Sequence, residues 1–356
     1  MRKKFVKWYF IFTITIISII ILLNFIIDPF YYFRNSTLYK TYYKGGSNTV
    51  YTNAGFIKNF TYDTLVLGSS MVENFNLLDV SKYLNTNSAI KASISGATAK
   101  EIGTTLRYAI NSKDSLTTVL YGLDLFSFKG SPDRLRHKNF PFYLYDSNIF
   151  NDIKYIASFD TFIKSLKAPL YQFKYGDKHP LMNKNTMYQW QHNYNKSFGK
   201  ENILKYWNQR KEFDRGDIDE SKYKYLKRSF DINIYNTIKN NQKITFNIFY
   251  PPYSILTYKL LQERGLYNES IKFKKYIFNQ VGHFKNVKIY DFQFDTDIIT
   301  ELNNYKDISH YHQDINLHIL KNISKDKFLV KDGYENIELK NIKKVINNYN
   351  IPESVT

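Results

Sequence analysis

Hydrophobic and polar positions divide the chain into regions of different rhythm. Residues 8–27 form one apolar run with no charge, the signature of a single long helix. From residue 64 onward, short apolar runs closed by turn residues alternate with stretches of helical spacing. Strands are expected at Thr64–Gly68, 89–94, 117–123, 243–250 and 287–290. Helices are expected at 76–85, 97–111, 257–281 and 313–323. This alternation implies an α/β domain over residues 63–330, with about five parallel strands and helices on both faces. The rhythm breaks between 129 and 240, a long aromatic and charged stretch that reads as a mainly helical insertion. Residues 28–62, with Gly45-Gly46, read as a linker that packs partly on the domain. The polar tail 331–356 is expected to add a peripheral helix or to fray. No internal repeat is present.

The 20 residues of 8–27, at about 1.5 Å each, span a hydrocarbon core of about 30 Å. Arg2, Lys3, Lys4 and Lys7 precede them, so the positive-inside rule keeps residues 1–7 in the cytoplasm and exports the remainder. A cleaved signal peptide would have a shorter apolar core and a small-residue cleavage site. The chain continues instead as Asn24-Phe-Ile-Ile-Asp-Pro-Phe, which favours an uncleaved anchor. Trp8 and Tyr9 are expected at one membrane interface, and Phe30, Tyr31 and Tyr32 at the other.

Composition narrows the function classes. Of the 356 residues, 50 are Lys or Arg and 32 Asp or Glu, a net charge of +18. No zinc-finger spacing or nucleic-acid module accompanies this charge, so nucleic acid is not expected as a partner. An anionic polymer or lipid surface remains, beside the plainer reading of a solvated basic surface. Cysteine is absent, which excludes disulfides and thiolate metal sites. The seven histidines form no HExxH-like pair, so neither metal nor cofactor is expected. The 32 Tyr and 28 Phe argue against general disorder.

In open parallel sheets, ligands bind beyond the carboxyl ends of the strands. Polar turns fall at those ends. The first expected strand closes in Gly68-Ser69-Ser70, where a serine is exposed near the start of the next helix, or else simply caps it. Ser95-Gly96 follows the second, and a glycine there lets its N–H approach an oxyanion. Gly122-Leu123-Asp124 follows the third. Tyr250-Pro-Pro-Tyr253 ends the fourth and is expected to line the site. Late in the chain, Asp307-Ile-Ser-His310 offers a base and a carboxylate to orient it. His312 and His318 are neighbouring alternatives, the first a less natural fit to Asp307 and the second inside a helix. Arg134, Arg136 and His137 could grip an anionic polymer or be solvated loop charges.

Taken together, serine first and histidine last, these turns resemble the SGNH (GDSL-like) hydrolase superfamily over roughly 63–128 and 243–323. The resemblance implies a flavodoxin-like three-layer domain with Ser70 as nucleophile and Asp307 and His310 as the closing pair. It places Gly96 as the oxyanion glycine and Ser69 where the family has an aspartate. Asp124 stands where an asparagine donor is usual; an ionised aspartate cannot donate, and its role stays open. Leu67-Gly-Ser-Ser-Met-Val-Glu-Asn-Phe75, Gly122-Leu-Asp-Leu-Phe126, Phe140-Pro-Phe-Tyr-Leu-Tyr-Asp146 and the anchor with Asp28-Pro29 look like membrane-anchored relatives. Those relatives serve teichoic-acid D-alanylation and alginate or peptidoglycan O-acetylation. The implied activity is that of an extracytoplasmic serine esterase or O-acyltransferase working through an acyl-enzyme. Its implied partner is a cell-envelope polysaccharide or teichoic-acid-like polymer, with a membrane-bound acyl-exporting protein beside it. The alternatives are a non-catalytic protein of this fold that presents an anionic polymer, and an anchored binding module for anionic lipid or polymer.

Overall fold

The computed structural model describes residues 2–35, 38–46, 48–176, 178–213, 224–332 and 334–353. Five strands form one sheet: β1 Thr64–Gly68, β2 Ala89–Ser93, β3 Thr118–Gly122, β4 Thr245–Tyr250 and β5 Val287–Asp291. They are all parallel, in the order β2-β1-β3-β4-β5. This is a doubly wound order, whose switch point lies between β1 and β3. Parallel sheets are covered on both faces, so their strands are continuous apolar runs, and every residue of β1, β2 and β3 is buried. Gly68 is in register with Ser93 on one side and Gly122 on the other. The strands therefore finish along a common edge.

Helices α1 (Arg2–Ile27), α2 (Thr49–Asn59), α3 (Leu77–Leu84) and α4 (Ala99–Ser112) come first in the chain. Helix α1 is long and apolar enough to span a membrane, and Asn24 is its only buried residue. Asn76 caps α3, and α4 opens with a full capping box between Thr98 and Glu101. The expected helix 257–281 is two helices, Ile255–Glu263 and Tyr267–Val281, interrupted at Gly265.

Three expectations need correction. The described residues of 28–62 contribute more to the core than a partly packed linker would. Helix α2 packs on α4 and β2 with Phe56 and Ile57 fully buried. Phe30, Tyr31 and Tyr32 are buried in the domain and form no membrane-facing belt. The buried Asp28 carboxylate turns the chain inward, accepting from the N–H groups of Tyr32 (3.0 Å), Phe33 (2.8 Å) and Arg34 (3.1 Å) and from the Tyr155 hydroxyl (2.8 Å). Burial pushes this carboxyl above its ordinary range, against those four donors.

The insertion is helical only in parts: Ile153–Ile156, Phe159–Lys167, Tyr171–Tyr175, Lys200–Phe213, and Leu226–Phe230 running through a π turn into Asn236–Asn240. Between 176 and 198 it is a chain of short 3₁₀ turns, and it holds no strand among the described residues. Its residues 214–223 lie outside the described residues, as do 354–356 of the tail. The tail forms helix Tyr334–Asn348, which buries Ile342 and Ile346 and packs on Ile255–Glu263.

Candidate active site

The site begins where β1 stops. Ser69 caps a three-residue 3₁₀ turn, Ser70–Val72, by accepting from the Met71 N–H. Helix α3 starts only at Leu77. Ser70 therefore opens a 3₁₀ turn and does not stand at the mouth of the α-helix expected next. The turn is pressed against the neighbouring strand end. A Cβ on Gly122 would lie 2.4 Å from Val72 Cγ1, so β3 must close in glycine for the serine turn to fit.

Asp307 and His310 sit on a small loop closed by an antiparallel bridge between Tyr305 and Tyr311. The Ile308 carbonyl fixes the loop by accepting from the Ser254 N–H (3.0 Å), the Ser254 hydroxyl (2.8 Å) and the Thr257 hydroxyl (2.6 Å). Asp307 Oδ1 accepts from the N–H groups of Ser309 (2.9 Å) and His310 (2.8 Å), which aims the carboxylate at the ring. His310 Nδ1 lies 2.9 Å from Asp307 Oδ2, and His310 Nε2 lies 2.8 Å from Ser70 Oγ. A carboxylate only accepts, so Nδ1 carries the proton and Nε2 accepts from the serine hydroxyl.

Burial alone would raise the Asp307 carboxyl. The charge and hydrogen bonds of His310 and the Lys306 ammonium, 2.9 Å away, overcome it and hold Asp307 well below the usual carboxylate range. The other two histidines are elsewhere. His312 caps helix Gln313–Ile323, and His318 Nε2 lies 2.7 Å from Asp295.

The remaining candidates divide. Gly96, at φ +66°, lines the same cleft of about 420 Å³ as Ser70 and His310. The N–H groups of Ser70 and Gly96 have no acceptor among the described residues. Arg136 is exposed and lies across Gly96, its Nε 3.5 Å from where a Cβ would stand. Arg134 lines the cleft but spends its guanidinium on carbonyls of its own loop, Lys129 (2.8 Å) and Phe126 (3.1 Å). His137 turns away to Glu101.

Asp124 is a structural clasp. It accepts from the Ser69 hydroxyl (2.8 Å), the Phe126 N–H (3.1 Å) and the Tyr253 hydroxyl. Ser69, 1 % exposed, is thereby committed and turned away from the cleft chemistry.

Four residues at the site had no signal in the sequence reading. Trp190, from the insertion, donates from Nε1 to the Ser70 carbonyl (3.4 Å) and sets its ring edge-on to His310. It is fastened by Asn74, whose Oδ1 accepts from the N–H groups of Trp190 and Gln191. The Lys306 ammonium lies over the Trp190 and Tyr194 rings. Beneath the serine turn, Lys91 of β2 donates to the carbonyls of Glu73 (2.5 Å), Phe75 (2.8 Å) and Met187 (2.6 Å). Burial pushes the Lys91 ammonium down to about 7, against the charge of Glu73. Burial likewise pushes the Glu73 carboxyl up to about 7, against Lys91 and His310.

No cluster of three metal-ligating side chains occurs among the described residues. The arrangement is suited to proton transfer from a hydroxyl during its attack on a carbonyl, with two free N–H groups nearby to receive the developing oxyanion. No family model and no curated protein matches this chain.

Proposed function

We propose that this chain is a membrane-anchored, extracytoplasmic serine esterase or O-acyltransferase of the SGNH type. The observation that carries the reading is the continuous relay from Ser70 Oγ through His310 to Asp307. His310 takes the proton as Ser70 attacks an acyl ester, and Asp307 stabilises the imidazolium. The N–H groups of Ser70 and Gly96 receive the oxyanion, which collapses to an acyl-enzyme as the ester C–O bond breaks and His310 gives its proton to the departing alcohol. His310 then activates water or a polymer hydroxyl to discharge it. The exposed guanidinium of Arg136, which lies above Gly96 and has no acceptor among the described residues, supports an anionic envelope polymer, teichoic-acid-like or polysaccharide, as substrate. The basic residues at the start of α1, ahead of its apolar run, support a cytoplasmic N-terminus, with the cleft outside and a membrane-bound acyl-exporting protein as the source of acyl groups.

A second reading is favoured by Asp124 standing where related enzymes use an asparagine donor: a non-catalytic protein of this fold that presents an anionic polymer. A fluorophosphonate probe on the full-length protein separates the two. Labelling that disappears in Ser70→Ala and fades in His310→Ala is the expected result. An unlabelled wild-type protein, folded by circular dichroism, sinks the enzymatic reading.

A further inference from the structure

Outside the cleft, exposed apolar surface is concentrated in one stretch. Among the described side chains, more than half of the large apolar ones exposed outside α1 fall between residues 149 and 173. Phe150 and Phe173 are 84 % and 88 % exposed, and Ile149, Phe159, Leu166 and Leu170 are each more than half exposed. Scattered apolar side chains on a surface need no explanation, but a concentration of this kind marks an interaction face.

The position of this stretch indicates what covers it, because it is fastened to α1. Helices Ile153–Ile156 and Phe159–Lys167 pack directly on α1. Asn24 Nδ2 donates to the carbonyls of Ile156 (2.8 Å) and Ser158 (3.0 Å), and its Oδ1 accepts from the Ser165 hydroxyl (2.9 Å). Ile20, Ile21, Leu23 and Ile27 are half-buried along α1. From Ile20 to Ile27 is about 10 Å of helix, so the domain reaches that far down the apolar segment from its exit end. Interfacial amphipathic helices sink their apolar face about 5–10 Å, the same depth. Helix Phe159–Lys167 has the matching pattern: Thr161 and Ser165 are buried, Phe159 and Leu166 face outward, and Lys164 and Lys167 lie at its end. With Lys154 and Lys174, four lysines border the stretch against one exposed acid, Asp160, a balance suited to anionic headgroups.

Resting on the reading of α1 as a membrane span, we infer that the face formed by residues 149–173 is embedded in the interfacial layer of the bilayer at the exit end of α1. Its partner is a lipid surface with anionic headgroups. The domain then stands on the membrane at two points and does not swing on a tether, which holds the Ser70 cleft at one height and orientation. A polymer carried near the membrane is the acceptor such a placement serves.

The cysteine-free sequence makes the test direct. Full-length single-cysteine variants F150C, L170C and F173C are labelled with an environment-sensitive fluorophore and reconstituted into phosphatidylcholine–phosphatidylglycerol vesicles. I17C reports on the span, and K321C, exposed on helix Gln313–Ile323, reports on solvent. Nitroxide-bearing lipid is expected to quench the labels at 150, 170 and 173 several-fold more than at 321, while iodide quenches them several-fold less. If these labels behave like 321 while the label at 17 is quenched by lipid, the inference is overturned and the anchor stands. If the label at 17 is not quenched by lipid either, the anchor reading fails and takes the inference with it. Shielding from iodide without lipid quenching assigns the face to a second copy of the chain and overturns the lipid assignment.

Discussion

The turns that follow β1 and β3 are built alike and do different things. The strands are neighbours, both end in glycine, and Gly68 and Gly122 are in register. Each glycine is followed by a polar cap and a 3₁₀ turn: Ser69 before Ser70–Val72, Asp124 before Leu125–Phe128. At the first turn the next side chain, Ser70, meets an imidazole brought from 240 positions away. At the second, Asp124 meets three donors and is satisfied by them. The local backbone device is shared. On the proposed reading, reactivity depends on whether a distant loop delivers a base or only donors that satisfy the side chain.

The comparison breaks most sharply at the loop that makes the difference. In Asp307→Asn the amide can donate toward Nδ1 and hold His310 in the tautomer that cannot accept from Ser70. Hydrolysis of an activated acyl ester should fall about 10³–10⁴-fold in kcat/KM with the fold intact by circular dichroism. A loss below tenfold would show that the orienting carboxylate does not matter. The same variant reads a pH effect. Asp307 has a folded-state value below its ordinary 3.8, so its stabilisation is present above that pH and is lost as pH falls. The gap in melting temperature between wild type and Asp307→Asn should therefore be widest near neutral pH and close from about pH 5 downward.

At the second turn the effect should appear in stability. Asp124→Ala leaves the buried hydroxyls of Ser69 and Tyr253 without their acceptor and should cost about 2–4 kcal/mol, seen as a lower midpoint in urea. Asp124→Asn keeps the shape and one acceptor, and should cost about 1 kcal/mol with kcat within roughly tenfold of wild type. If Asp124→Asn changed kcat a hundredfold at unchanged stability, the aspartate would be part of the chemistry and the two turns would not differ as argued.

How much of this was legible in the sequence depends on what each feature needed. The five strands were readable because burial on both faces leaves uninterrupted apolar runs, as in TLVLG and TFNIFY. The serine turn and the Asp307–His310 pair were readable because each is a short local pattern at a strand end or late loop. Helix α2 was not, because no exposed polar face sets a period and, beside its apolar Val50, Ala54, Phe56 and Ile57, the polar Thr52 and Asn53 are buried. Those groups are satisfied by partners far along the chain: Asn53 donates to the Ser93 carbonyl and accepts from the Tyr188 hydroxyl, which also meets Thr52. Lys91 in AIKAS is a charged residue in a buried strand, and only the three carbonyls that hold it there explain its place. Trp190 reaches His310 only because Asn74 clasps the insertion, a pairing across 116 positions that no periodicity encodes.

The smallest expected effect is the most specific, because two adjacent serines compete for one role. Ser69→Ala removes a cap and one donor to Asp124, while Tyr253 and the Phe126 N–H still satisfy that carboxylate. A cap lost in a short turn costs about 1 kcal/mol. Ser70 keeps its imidazole, so fluorophosphonate labelling should continue at a rate within a few-fold of wild type, with the adduct mapped by mass spectrometry to Ser70. An adduct on Ser69 in the wild-type protein would mean that the buried hydroxyl leaves Asp124 to react. The assignment of a structural and a reactive serine at the end of β1 would then be reversed, although the loop carrying His310 would still supply the base.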